Sequence, residues 1–169
     1  KGIPAIITAD GPAGLRVRKY TTLLPCGTAI ACSWNSELIE KTFQLVGEEV
    51  HHFGVDVNLA PGMNIHRNPL CGRNFEYYSE DPYLAGTLAK KYIEGVQEMH
   101  VGTCIKHFCC NNSEFSRHWA SMEVDERTLH EIYLKSFEIA MEAKPWTVMC
   151  SYNLVNGRRM SENNKLYNV

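Results

Sequence analysis

The sequence predicts an α/β protein built on parallel strands, and three observations carry that expectation. Short extended apolar runs occur at residues 4–8, 55–60, 101–106 and 147–152. Three of these runs follow a segment whose apolar residues recur with helical period. The unit repeats about every 46 residues, which leaves room for a right-handed crossover helix between parallel neighbours.

The first helix is expected to start at Asn35 as N-cap, to place Ile39, Phe43, Val46, Val50 and Phe53 on one face, and to stop at Gly54. The second opens at Asp81-Pro82, an N-cap followed by proline at the first helical position, and turns Leu84, Leu88, Tyr92, Val96 and Met99 inward. The third opens at Asp125, with Val124 and Leu129 spaced as a hydrophobic staple, and buries Leu129, Ile132, Tyr133, Phe137 and Ala140. Each helix is amphipathic, so each covers something.

Polar and unusual residues gather just past the carboxyl end of each extended run: Asp10-Gly11, residues 64–73, Lys106-His107, and Ser151-Tyr152-Asn153. Parallel sheets, open or closed, build their sites along that edge. Four strand ends are therefore expected to converge on one pocket. The long connection over residues 61–81 fits, because structureless loops of that length are uncommon unless they build a site.

The bulk properties exclude several classes. A chain of 169 residues, 44% hydrophobic and 21% charged, is long enough for one domain with a substantial core. The net charge of −2 comes from interspersed signs, with no basic run to follow a phosphate backbone, so nucleic acid is not an expected partner. No stretch approaches 18 apolar residues, and the apolar run near the N-terminus is too short and wrongly flanked for a signal peptide, so no membrane is expected either. The first residue is Lys1 rather than Met, and the natural start is expected upstream. Seven cysteines scattered without a framework favour a reducing compartment, hence a cytoplasmic location.

The segment CIKHFCCNNSEF (104–115) sets a lysine, a histidine, three cysteines and a glutamate close together. A zinc site from His107, Cys109, Cys110 and His118 is one reading. Zinc ligands usually come as spaced pairs, whereas adjacent cysteines on an extended segment point to opposite faces. A Cys-His nucleophile lacks a third group to orient it. Asp10, between an extended run and Gly-Pro, reads equally as a turn residue or as part of a site.

Five blocks settle the matter: DGPAGLR (10–16), NLAPGMNIHRNPLCGRNFEYYSEDPYLAG (58–86), GTCIKHFCCNNSEFSR (102–117), DERTLHEIYLKSFE (125–138) and VMCSYNLVNG (148–157). Together, and in this order, they resemble family 3 glycoside hydrolases of the β-glucosidase and β-xylosidase type, specifically their N-terminal (β/α)8, TIM-type barrel domain. The resemblance implies that residues 1–169 are a single incomplete domain of this kind, about the first four βα units.

The resemblance further implies that Asp10, Arg73, Lys106, His107 and Tyr152 bind the terminal sugar in the −1 subsite. Met149 and Tyr152 would offer apolar surface to its C–H face. A carboxylate, a guanidinium and an ammonium can each fix ring hydroxyls through charge-assisted bonds of roughly 1.5–3 kcal/mol apiece. Cys109 and Cys110 fall where the family commonly has small residues, and read as packing groups. Asp81 reads as a helix cap rather than an acid, and Glu76 and Glu80 as groups that hold Arg73 or neighbouring loops. Whether Glu114 and Arg117 pair at the same rim stays open.

Retaining glycosidases use two carboxyl groups about 5–5.5 Å apart. In this family the nucleophile is an aspartate one βα unit further along, and the acid/base comes from a second domain. No aspartate follows Asp125 here, so both catalytic carboxyls are expected to lie outside this chain, in the remainder of its parent. Four strands cannot close an eight-stranded barrel. The implied activity is exo-acting hydrolysis of small β-glycosides or oligosaccharides with net retention, without metal or organic cofactor. The alternative is a non-catalytic sugar-binding or vestigial protein.

Overall fold

The computed structural model describes residues 2–168. In chain order the principal elements are β1 (Thr8–Asp10), α1 (Gly27–Ala31), α2 (Ser36–His52), β2 (Val57–Leu59), α3 (Pro82–Glu98), β3 (Gly102–Phe108), β4 (Ser121–Met122), α4 (Glu126–Thr128), α5 (Lys135–Met141), β5 (Thr147–Cys150), β6 (Leu154–Val155), β7 (Arg158–Arg159) and α6 (Asn164–Tyr167). Between α4 and α5 the backbone widens into a π-turn at Leu129–Tyr133.

The capping residues act as expected. Asn35 Oδ1 accepts from Leu38 N, Asp81 Oδ1 from Tyr83 N and Leu84 N, and Asp125 Oδ1 from Thr128 N. Each satisfies amides that the first helical turn leaves without a partner. The predicted inward faces are buried at Ile39, Phe43, Val46 and Val50, at Leu88, Tyr92 and Val96, and at Leu129, Tyr133, Phe137 and Ala140. Phe53, Leu84 and Ile132 are only partly buried and pack at the margin of that core.

The main sheet runs β1-β2-β3-β5, with every pair parallel. A doubly wound sheet reverses its strand order at a switch point. Here the order follows the chain without reversal, and α2, α3 and α5 pack in the same succession. The architecture is thus an arc of a parallel β/α barrel, four strands wide and not closed among the described residues.

Side chains alternate across this arc. On the outer face, Asn58 Nδ2 donates to Tyr92 Oη of α3 at 2.6 Å, and Thr103 Oγ1 donates to Gln97 Oε1 at 2.9 Å. The register pairs Ala9 with Asn58 and Asn58 with Thr103. Asp10 and Leu59, one residue on, and Lys106 with its partner Met149 therefore share the inner face.

Two sequence expectations are corrected. The first extended run, at residues 4–8, pairs only from Thr8 onward: Ile7 N is taken by Asp56 Oδ2 at 2.7 Å, and Ile3 and Ile6 lie exposed. The Ile7 carbonyl still accepts from Asp56 N and Val57 N, but with Ile7 N bonded to the Asp56 carboxylate the ladder goes no further back. Cys109 and Cys110 do not point to opposite faces. Cys110 has φ +59° at a turn that ends the strand, and both thiols turn into the core with their sulfurs 3.7 Å apart.

Candidate functional site

The carboxyl edge of the sheet carries the chemistry. Lys106 projects from β3 with its side chain only 3% exposed, and its Nζ donates to Asp10 Oδ1 at 2.7 Å, while the Asp10 side chain remains 48% exposed. A covered lysine thus holds one oxygen of a carboxylate whose side chain is nearly half exposed. That arrangement fixes a charged acceptor in place without using it up.

His107 follows on β3 and is buried. Asn64 clamps its backbone from both sides: Nδ2 donates to His107 O at 3.0 Å, and Oδ1 accepts from His107 N at 2.8 Å. The imidazole Nδ1 lies 3.0 Å from Tyr77 Oη. Burial, reinforced by the positive charges of Arg73, Lys106 and Arg117, pushes the His107 pKa down to about 3. The ring is neutral at ordinary pH and sits among three cations.

Arg73 Nε donates to Glu76 Oε1, which is itself buried. Burial is the largest single influence and works against the Arg73 charge, but the bond to Glu76 together with the negative charges of Glu76 and Glu114 more than offsets it, so the guanidinium pKa lies above its ordinary value. Glu76 does hold Arg73, as expected, whereas Glu80 is exposed. Glu114 and Arg117, left open by the sequence, form an ion pair at 2.7 Å. The carboxylates of Asp10, Glu76 and Glu114 are each held by a cation.

The predicted residues fall into two groups. Asp10, Lys106, His107 and Arg73 gather at one edge, with Met149 half-buried in register with Lys106. Tyr152 forms the second, at an exposed position: its ring lies 4.6 Å from that of His118 and 5.1 Å from the Arg117 guanidinium. Through Arg117 it connects to the first group by the line Arg117, Glu114, Asn111, Tyr77 and His107.

Sequence reasoning passed over Tyr77, Asn64, Asn111 and Arg16. Arg16, whose amide donates to Asp10 O at 2.8 Å, lines a cavity together with Asp10. Its signal was available, since it closes the DGPAGLR block that begins with Asp10. Bonding to Cys110 and burial push the Cys109 pKa well up, which works against that thiol as a nucleophile. Among the described residues no cluster of three metal-ligating side chains occurs.

An open parallel arc with fixed charges along its carboxyl edge is the site-bearing half of a β/α-barrel protein. Its relatives narrow that class. The family model for the glycosyl hydrolase family 3 N-terminal domain matches residues 1–168, and the chain belongs to that family. It is 49% identical over 178 residues to thermostable β-glucosidase B of Acetivibrio thermocellus, covering 98% of this chain and 24% of that protein. Among solved structures it is similar to β-glucosidase 3B from Thermotoga neapolitana in complex with glucose, at 54% identity and TM-score 0.95, covering 98% of this chain and 24% of that one. A β-glucosidase of Bifidobacterium adolescentis gives 47% identity and TM-score 0.96, over 98% and 25%. The chain thus spans about a quarter of the length of these relatives.

Proposed function

We propose that this chain supplies most of the −1 subsite of a retaining, exo-acting β-glycosidase of β-glucosidase or β-xylosidase type. The observation that carries the reading is the Asp10 carboxylate, anchored by covered Lys106 and half open to a ligand. Asp10 accepts from a pair of ring hydroxyls, Lys106, Arg73 and His107 donate to others, and Met149 and Tyr152 lie against the apolar face of the sugar. Such bonds strengthen as the sugar ring gains oxocarbenium character, so they act on turnover as well as on binding. The names of the relatives, and the glucose held by the Thermotoga neapolitana enzyme, support the choice of sugar class.

Retention needs a nucleophile and an acid/base, and we assign neither role to Asp10, Glu76 or Glu114, whose carboxylates are neutralised by Lys106, Arg73 and Arg117. Those roles belong, in this proposal, to the rest of the parent protein. The test is Asp10→Asn in the intact protein, a change that leaves Lys106 an acceptor but removes the charge. Loss of a charge-assisted bond worth roughly 1.5–3 kcal/mol lowers kcat/KM for an aryl β-glucoside by about 10- to 150-fold. Unchanged efficiency would remove Asp10 from the site. Glucose binding without any hydrolysis by the wild-type protein would favour the non-catalytic alternative.

A further inference from the structure

Tyr77, in the loop before α3, is fully buried, yet its hydroxyl meets two polar neighbours, Asn111 Nδ2 at 3.0 Å and His107 Nδ1 at 3.0 Å. The direction of these bonds can be worked out from the far end. Asn111 Nδ2 also lies 3.1 Å from Glu114 Oε1, and the other oxygen of Glu114 is bonded to Arg117 at 2.7 Å. A carboxylate paired to a guanidinium only accepts, so the amide nitrogen must face it. The reverse orientation would set Asn111 Oδ1 against a negative oxygen.

With the amide fixed, its two hydrogens go to Glu114 and to Tyr77 Oη. Tyr77 is then an acceptor from Asn111, and among the described residues its single hydrogen has one acceptor within reach, His107 Nδ1. Were Nδ1 to carry the proton instead, the Tyr77 hydrogen would be buried without a partner, an outcome proteins rarely tolerate. Burial and the nearby charges of Arg73, Lys106 and Arg117 also disfavour the imidazolium.

We infer that Tyr77 is a positioning residue: it donates to His107 Nδ1, confines the proton to Nε2, and so presents the ligand with a neutral N–H donor held in one tautomer. The relay runs Arg117, Glu114, Asn111, Tyr77, His107, and its outer end meets the Tyr152 ring. No side chain among the described residues pairs with His107 Nε2, so this donor is available to a ligand. The inference deepens the proposed sugar site and rests on it for the identity of that ligand. Glu114 and Arg117 thereby gain a role that needs no contact with the sugar, which is to set the amide that sets the hydroxyl.

The test is 15N spectroscopy of the histidine-labelled intact protein near neutral pH, with the His107 signals assigned by their loss in His107→Asn. The expected wild-type spectrum shows a protonated Nε2 and an unprotonated Nδ1. In Tyr77→Phe, which keeps the ring and its packing, both tautomers are populated and kcat/KM for an aryl β-glucoside falls about tenfold. A protonated Nδ1 or an imidazolium in the wild type overturns the inference, as does Tyr77→Phe with an unaltered His107 spectrum. Should Tyr77→Phe fail to fold, the wild-type spectrum alone decides. That spectrum reports on the relay whatever the ligand is, whereas undiminished glucose binding by His107→Ala would count against the sugar reading, so the two failures are separable.

Discussion

The Asp10–Lys106 pair is lopsided, and the asymmetry has a measurable consequence. Lys106 is covered, with 3% of its side chain exposed, and its ammonium bonds to no other side chain among the described residues, whereas nearly half of Asp10 meets solvent. Asp10→Ala therefore strands a buried cation, a situation that costs about 3–5 kcal/mol in comparable cases. Lys106→Met removes the charge and keeps an apolar stem of similar length, while the orphaned carboxylate rehydrates, so its cost is about 1 kcal/mol or less. The double variant should sit near Lys106→Met, so the coupling should match the cost of Asp10→Ala alone, about 3–5 kcal/mol. The assay is denaturant or thermal unfolding of the intact protein and its three variants, followed by a signal from the barrel domain. Equal costs for the two single changes, or a double variant whose cost is their sum, would refute the claim that Lys106 depends on Asp10 for its burial.

Two further outcomes are expected. Acid should weaken the fold through His107: its folded pKa of about 3 lies below the ordinary 6.5, so between those values the unfolded chain binds the extra proton. Stability from this group is complete above about pH 6.5 and is lost at about 1.4 kcal/mol per unit as pH falls toward 3. Between pH 7 and 5 the wild type should lose about 2 kcal/mol more than His107→Leu, measured by melting, and equal losses would dispose of the assignment. Gly95→Ala should destabilise although it raises helix propensity by about 1 kcal/mol, because the new Cβ would stand 2.4 Å from the Glu40 carbonyl oxygen and force α2 and α3 apart. The net cost is about 1–3 kcal/mol, and an unchanged melting temperature would show that the helices do not meet so closely.

What could be read from the sequence depended on how far apart the cooperating residues lie. Asn35, Asp81 and Asp125 cap amides two or three positions away, so their roles follow from local spacing. Helical period named most of the buried residues for the same reason. The start of β1 differs from the expectation because residues 4–8 have strand chemistry, whereas a side chain 49 positions away, Asp56, takes the Ile7 amide and ends the ladder there. The π-turn at Leu129–Tyr133 leaves the periodic pattern nearly intact and was invisible to it. Cys109 and Cys110 escape the alternation rule because the strand ends at Phe108 and both cysteines lie in the turn beyond it.

The site divides along the same line. A parallel sheet with sequential order sends every carboxyl end to one edge, and its register puts Asp10, Lys106 and Met149 on one face. Four separated stretches thus had to become neighbours once the topology was known, and the family resemblance supplied the topology. The states of those neighbours follow different rules. The dependence of Lys106 on a residue 96 positions earlier, and the proton on His107, are set by bonds to side chains that carry no motif of their own. Tyr77 reads in the sequence as one more aromatic between a loop and a helix, and Asn111 as a polar residue after a strand. Only when Glu114 fixes the amide, and the amide fixes the hydroxyl, does the imidazole have a defined donor to offer. The backbone determines which groups meet at this edge, and the buried polar network determines what each of them can do there.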